Sequence, residues 1–215
     1  MTAENGNLPS KTKLNPATLL APVPVVLVSC QGNDPNETTK PNLITLAWAG
    51  TVCSDPPMVS ISIRPSRLSY ELIHSSKEFV INLVNKDILK ATDFCGVRSG
   101  RDVDKFSECK LTPLPVPELE VTPAVAESPL SLACKVKSVH SLGSHDLFVA
   151  EVVSVIADSS LIDKSGKLNL NQAGLVAYTH GEYRALGHML GFFGYSVASP
   201  EVLARRMPAV RRRKK

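Results

Sequence analysis

Most signatures by which a chain declares its chemistry are missing from these 215 residues. There is no G-x-G-x-x-G and no G-x-x-x-x-G-K-[ST]; Gly187, Gly191 and Gly194 fit neither spacing and suit turns or close packing. There is no H-E-x-x-H. The five cysteines, Cys30, Cys53, Cys95, Cys109 and Cys134, contain no C-x-x-C pair. An odd, scattered set argues against a disulfide framework and a zinc site, so small buried thiols and no metal are expected. Ser144, His145 and Asp146 are adjacent, whereas a hydrolytic triad draws its members from separate segments. No apolar run approaches the ~20 residues of a membrane helix, and the best candidate, Leu19 to Val28, is interrupted by Pro22 and Pro24. The N-terminus carries Glu4 and no apolar signal core, so the expectation is a cytoplasmic protein without membrane contact. Strands do not alternate with long helices, which disfavours a doubly wound nucleotide fold.

Charge is equally uninformative about the body. The formal net charge is +4, but Arg205 to Lys215 alone holds seven cations, and +4 less seven leaves −3 for the rest. The body is therefore not basic, and nucleic acid is not an expected partner. The reading divides the chain into a disordered segment at 1–14, one domain at 15–196 and a basic, solvated tail at 197–215.

What is present is mostly β-structure. Pro22 to Ser29 is a β-branched run typical of a buried strand, and Gly32 to Pro41 has the composition of a hairpin loop. Asn42 to Gly50 reads as one strand, with Leu43, Thr45, Ala47 and Ala49 on one face and Ile44, Leu46 and Trp48 on the other. Val52 to Pro57 reads as a turn. From Met58 to Ile63, Val59, Ile61 and Ile63 share a face. Pro65 stops that strand, and Ser66 or Ser69 is placed to cap a helix running to about Ser75. Glu78 to Val84 is a strand, Lys86 to Phe94 a short helix, and Cys95 to Phe106 a Gly-, Arg- and Asp-rich loop. Thr112 to Pro129 holds five of the sixteen prolines and reads as an extended connection. Leu130 to Leu142 and Leu147 to Ile156 are the longest strands, joined by a Gly143 to Asp146 turn. The sum is a mainly β chain: an antiparallel barrel with short covering helices.

Three features could carry chemistry. Arg64, Ser66, Arg67 and Ser69 cluster where a strand becomes a helix, and helix-start amides, hydroxyls and guanidinium groups together suit phosphate. Along Thr45-Leu46-Ala47-Trp48, small residues let a flat ring approach the strand, Thr45 can donate to such a ring, and Trp48 either lines it or fills the core. Asn82, a lone polar residue within F-V-I-N-L-V, needs partners from a ligand, a neighbouring strand or a turn. The arrangement suits a phosphorylated ring system.

These motifs also carry a family resemblance. N-x-x-T-x-A-W at Asn42, S-D-P-P-x-V-S-I-S-I-R-P-x-R at Ser54 and E-F-V-I-N at Glu78 resemble, in order and spacing, the flavin reductase-like family of FMN-binding split barrels. G-V-R-S-G-R-D-V-D-K-F (Gly96 to Phe106) resembles a loop of its flavoredoxin branch. H-D-L-F-V-A-E-V (from His145) and Y-x-x-x-x-Y-x-x-L-G (Tyr178 to Gly187) resemble its histidine-bearing hairpin and closing motif. The resemblance spans about Asn15 to Gly194. It implies a Greek-key type split barrel, a homodimer and FMN as cofactor. On this chain Thr45, Leu46, Ala47 and Trp48 would line the ring and ribityl chain. Ser62, Arg64 and Ser69 would hold the phosphate. Asn82 would address the ring or polyol, Ser99 and Gly100 would form the rim, and His145 would stand at the open side as a proton donor. The implied activity is that of an FMN-dependent oxidoreductase, passing electrons from NAD(P)H or a reduced carrier to an acceptor. The alternatives are a non-catalytic FMN carrier or sensor, and a small nucleic-acid-binding barrel using the basic tail.

Overall fold

The computed structural model describes residues 9–33 and 40–207. The chain begins with β1 (Val23–Pro24) and β2 (Val26–Cys30), then β3 (Asn42–Leu46), β4 (Ala49–Ser54) and β5 (Pro57–Ile63). Helix α1 (Leu68–Ser76), strand β6 (Glu78–Leu83) and helices α2 (Leu89–Val97) and α3 (Lys105–Cys109) follow. Next come β7 (Pro113–Leu114), β8 (Ala124–Val125), the long pair β9 (Leu130–Ser141) and β10 (Asp146–Ala157), then β11 (Val176–Thr179), β12 (Glu182–Ala185) and α4 (Pro200–Arg206).

Seven of these strands form one antiparallel sheet in the order β3-β2-β6-β9-β10-β5-β4. Its two end strands, β3 and β4, are neighbours in the chain, separated only by Ala47 and Trp48. Six strand spacings would carry them roughly 29 Å apart in a flat sheet, whereas three Cα steps reach at most about 11 Å. The sheet must therefore curl until its ends meet. At that corner the Ser62 amide donates to the Trp48 carbonyl at 3.0 Å, which extends the β4–β5 ladder by one rung. This is a split barrel with an antiparallel wall and few helices.

The single strand expected over 42–50 is thus two strands with a corner at Ala47–Trp48, where closure forces the chain to turn. The turn expected at 52–57 is shorter than anticipated: β4 runs to Ser54 and pairs with β5, leaving Asp55 and Pro56 as the turn. The helix expected at 86–94 lies at Leu89–Val97, and α3 occupies the end of what reads as a loop. Neither Ser66 nor Ser69 caps α1; Arg67 holds the N-cap position without a side-chain cap bond. The strands expected at 22–29, 58–63, 78–84, 130–142 and 147–156, and the turn between β9 and β10, lie close to where alternation and turn chemistry put them, whereas β7, β8, β11 and β12 fall in stretches not read as strands.

Alternation places the core. Val28, Ile44, Ile61, Ile63, Ile73, Phe79 and Phe148 fill the barrel. Burying each such side chain favours the fold by roughly 1.5–3 kcal/mol. The opposite faces of β2 and β3 are also covered, because Leu27 and Leu43 pack with Cys95, Phe106 and Val125 beneath α2 and α3. That double coverage explains why Val26 to Cys30 is buried without alternation. The proline-rich connection lays Val116 and Leu119 against Val80 and Ala133. A small second sheet, β1-β11-β12, folds the C-terminal hairpin back beside α2.

The tail reading changes in part. Residues 200–206 are helical, Ser199 caps them by accepting from the Val202 amide, and the Arg206 guanidinium lies 4.0 Å from the Phe192 ring centroid. Residues 1–8, 34–39 and 208–215, which include the loop tip at Asp34 and most of the basic tail, lie outside the described residues. No described helix is long and apolar enough to cross a membrane.

Candidate functional site

A cavity of about 470 Å³ opens where the β3–β4 corner, the β5–α1 turn, the α2–α3 loop and the β11–β12 hairpin converge. Of the site residues expected from sequence, Thr45, Leu46, Ala47, Trp48, Ser62, Arg64, Ser69, Ser99, Gly100 and His145 all line it. Segments far apart in sequence meet here because barrel closure brings the end of β3 against β5.

Asn82 does not line the cavity, and that placement is corrected. It is fully buried in the wall. Its Nδ2 donates to the Leu27 carbonyl at 2.9 Å, the Ser29 hydroxyl at 3.0 Å and the Val80 carbonyl at 3.3 Å. Its Oδ1 accepts from the Val125 amide at 2.9 Å and the Ser131 hydroxyl at 2.8 Å. The whole amide is committed to joining β2, β6, β8 and β9, which leaves nothing for a ligand. Thr45 is also used differently from expectation. Its hydroxyl donates to the Thr92 carbonyl and ties β3 to α2, so toward the cavity it offers shape and an acceptor.

One corner of the cavity is cationic. Pro65 ends β5, and Arg64 to Arg67 turn into α1, closed by the Arg67 amide donating to the Arg64 carbonyl at 3.0 Å. With no side chain capping α1, its first amides lack partners from the helix itself. Arg64, Arg67 and Arg98 line the cavity and form no salt bridge among the described residues, whereas Arg101 is paired with Glu71. Behind them stands Lys105, only 3% exposed. Its ammonium donates to the Leu43 carbonyl at 2.7 Å and the Cys95 carbonyl at 2.8 Å and has no carboxylate partner among the described residues. Burial pulls its pKa below the ordinary lysine value, and Arg67 nearby adds to the fall. A desolvated cation held by neutral carbonyls among unpaired guanidinium groups calls for an anion.

Close packing fixes this corner. Asn42 donates from Nδ2 to the buried Ser69 hydroxyl at 2.9 Å. A Cβ at position 100 would lie 2.2 Å from Asn42 Oδ1, so glycine is required there for the α2–α3 loop to approach.

The wall beside Arg64, across the β5–β10 pair, is aromatic and open. Trp48 is 46% exposed, so it is not core filler. Its ring lies 4.5 Å, centroid to centroid, from the His145 imidazole, with 50° between planes. His145 shares a hydrogen bond between Nδ1 and the Ser144 hydroxyl at 2.9 Å. Partial burial, then the positive charge of Arg64, holds its pKa below the ordinary histidine value, so the ring is neutral at neutral pH. Across the cavity stand Tyr178 and Tyr183. The Tyr183 hydroxyl donates to Asp93 Oδ1 at 2.9 Å, and burial together with that carboxylate pushes its pKa up to about 12.

Residues 19–187 match the family model described as flavin reductase like domain. The chain belongs to that family. The fold agrees: flavoredoxin of Desulfovibrio vulgaris (Miyazaki F) superposes with a TM-score of 0.78 at 29% identity, covering 88% of this chain and 100% of that one. Flavoredoxin from Methanosarcina acetivorans superposes at 0.76 with 26% identity and the same coverage. Among curated sequences, the reductase component of a 4-nitrophenol 4-monooxygenase/4-nitrocatechol 2-monooxygenase from Rhodococcus opacus is 26% identical over 113 residues, 53% of this chain and 57% of that protein.

Within this flavin reductase like domain, three wall residues escape a reading by local motif. Lys105 falls in a stretch that looks like a polar loop, and its only local sign is the adjacent Phe106 of an amphipathic turn. Asp93 and Arg98 enter through the position of α2, which begins three residues later than the sequence suggests.

Proposed function

We propose that this cavity binds FMN and that the protein is an FMN-dependent oxidoreductase taking electrons from NAD(P)H or a reduced carrier. The observation that carries the reading is the cationic corner: Arg64, Arg67 and Lys105 meet the uncapped start of α1 with no carboxylate partner among the described residues. That set fits a terminal phosphate. The strand end from Thr45 to Trp48, with small Ala47, gives a flat ring a shelf, while Ser62, Ser99 and Gly100 border the polyol path. A flavin, when bound, supplies the two-electron chemistry itself. The chain's part is to anchor the phosphate, align the ring along β3, and leave the Trp48–His145 end open. There the His145 imidazole can take or give a proton at Nε2, because Nδ1 is engaged by Ser144. The reductase-component and flavoredoxin relatives support a redox role, and five free thiols suit a cytoplasmic setting.

We also propose a homodimer. Leu186, Leu190, Phe193 and Val197 are largely exposed along one C-terminal stretch, apolar surface that a second copy would cover. Sedimentation showing a monomer that still holds FMN would refute this.

The test is direct. The protein reconstituted with FMN should show flavin absorbance at one site per protomer, and anaerobic NADH or NADPH should bleach it. A colourless protein refutes the FMN reading. A yellow protein that no donor bleaches is a carrier or sensor.

A further inference from the structure

Helices α2 and α3 bring two thiols together behind the cavity wall. Cys95 Sγ and Cys109 Sγ are 3.8 Å apart although the residues are 14 positions apart in sequence. Cys95 is buried and Cys109 half-buried. Cys109 also donates to the Ala91 carbonyl at 3.9 Å, and the other three cysteines engage only backbone carbonyls: Cys30 that of Asn42, Cys53 that of Asp55, Cys134 that of Leu132. The segment between the paired sulfurs carries Ser99, Gly100 and Lys105 of the cavity wall, and the Cys95 carbonyl is one of the two acceptors that hold the Lys105 ammonium.

We propose that Cys95 and Cys109 are a second redox site, a dithiol that hydrogen peroxide converts to a disulfide, and that this bond alters the cavity's hold on its ligand. Cys109, the more accessible sulfur, attacks one peroxide oxygen. The O–O bond breaks, sulfur becomes a sulfenic acid, and the thiol proton leaves with the other oxygen as water. Cys95 sulfur then attacks the sulfenyl sulfur, the S–S bond forms, and its proton departs with the hydroxyl as a second water. Two thiols lose two electrons and one peroxide gains them. Burial pushes the Cys95 thiol up to about 12 and raises Cys109 as well, so both are protonated at neutral pH. The sulfurs rest as thiols, and attack on peroxide goes through the minor thiolate fraction of Cys109.

The coupling is geometric. A disulfide brings its sulfurs to about 2.05 Å, so the two sulfurs must close much of their 3.8 Å separation. Helix α3 begins at Lys105 and ends at Cys109. Pulling its last residue toward α2 shifts its first, and the bond from Lys105 to the Cys95 carbonyl cannot keep its present geometry. This coupling rests on the proposed FMN site; formation of the disulfide does not.

The experiment treats full-length protein with hydrogen peroxide, digests it under non-reducing conditions and reads the peptides by mass. The expected product is one cross-linked Cys95–Cys109 pair, lost on dithiothreitol treatment and absent from Cys109→Ser. FMN titration of the oxidised protein should give a dissociation constant raised by roughly tenfold, the effect of one charge-assisted hydrogen bond. Reduced protein and Cys109→Ser with or without peroxide should be unchanged. Free thiols after peroxide, over-oxidised Cys109 without a bond to Cys95, or a Cys53 cross-link overturns the redox site. A disulfide that leaves FMN affinity unchanged overturns the coupling. If FMN binds no form of the protein, the cofactor reading falls, and the peptide masses still decide the dithiol.

Discussion

Replacing Lys105 by methionine separates the anion site from the fold. Methionine keeps the length of the stem but removes the charge and the donors to the Leu43 and Cys95 carbonyls. Orphaning two buried carbonyls costs about 1–3 kcal/mol each. Against that, the variant no longer buries an unpaired ammonium, a penalty of several kcal/mol in a dry interior. The two effects oppose each other, so thermal stability should move little. Ligand affinity is different, because only FMN presents a phosphate. Losing a charge-assisted hydrogen bond to it is worth about 1.5–3 kcal/mol, roughly a ten- to 150-fold rise in dissociation constant. Riboflavin shares the ring and polyol and should change by no more than about threefold, a few tenths of a kcal/mol. The assay is fluorescence titration of both ligands into wild type and variant, and the quantity to read is the ratio of their affinities. Any general loosening of the cavity cancels in that ratio. Equal weakening of both ligands, or no loss for FMN, refutes the assignment and moves the phosphate toward Arg98.

The remaining predictions use other parts of the wall. His145 should titrate below the ordinary histidine value in an NMR pH series. Arg64→Gln should raise it only part of the way back, because burial is the larger cause and the arginine charge the smaller; a full return would reverse that order. Since the unfolded chain takes up this proton first as pH falls, the stability contribution is complete above about pH 6.5 and declines below it, and His145→Gln should flatten that part of a denaturation-versus-pH curve. Asn82→Leu should lower stability by about 3 kcal/mol or more by orphaning the Leu27 carbonyl and the Val125 amide, while the folded fraction binds FMN normally; selective loss of FMN binding with intact stability would return Asn82 to the site. Gly100→Ala should displace Asn42 from Ser69 and weaken FMN, and pairing it with Asn42→Ala should recover most of the loss by clearing the 2.2 Å clash.

Particular residues show what a sequence can and cannot convey. β-branched runs and period-two alternation at Pro22 to Ser29, Met58 to Ile63, Leu130 to Leu142 and Leu147 to Ile156 marked strands because their faces are covered as the pattern demands. The Ala47–Trp48 corner carried no local signal, since it is a consequence of closing the sheet and not of the residues that make it. Asn82 shows the opposite difficulty. A buried amide announces that it has partners, but whether they are strands or a ligand depends on neighbours 43 to 55 positions away. Lys105 was invisible because a cation in a polar stretch looks solvated until α3 forms and turns it inward. Most of the wall around the cavity was legible; its buried charge and the division of labour within it were not.

The last rung of the β4–β5 ladder and the candidate site share one stretch of chain. The Trp48 carbonyl that receives the Ser62 amide belongs to the same strand end that shelves the ring, and Ser62 itself borders the cavity. Pairing at the end of this ladder and occupancy of the site are thus thermodynamically linked. A molecule that binds only when the rung is made stabilises the paired form by mass action, in proportion to the logarithm of its concentration over its dissociation constant. Local opening of the ladder end then becomes a ligand-controlled equilibrium, and amide exchange at Ser62 slows as the site fills, well before the amides of β9 register any change.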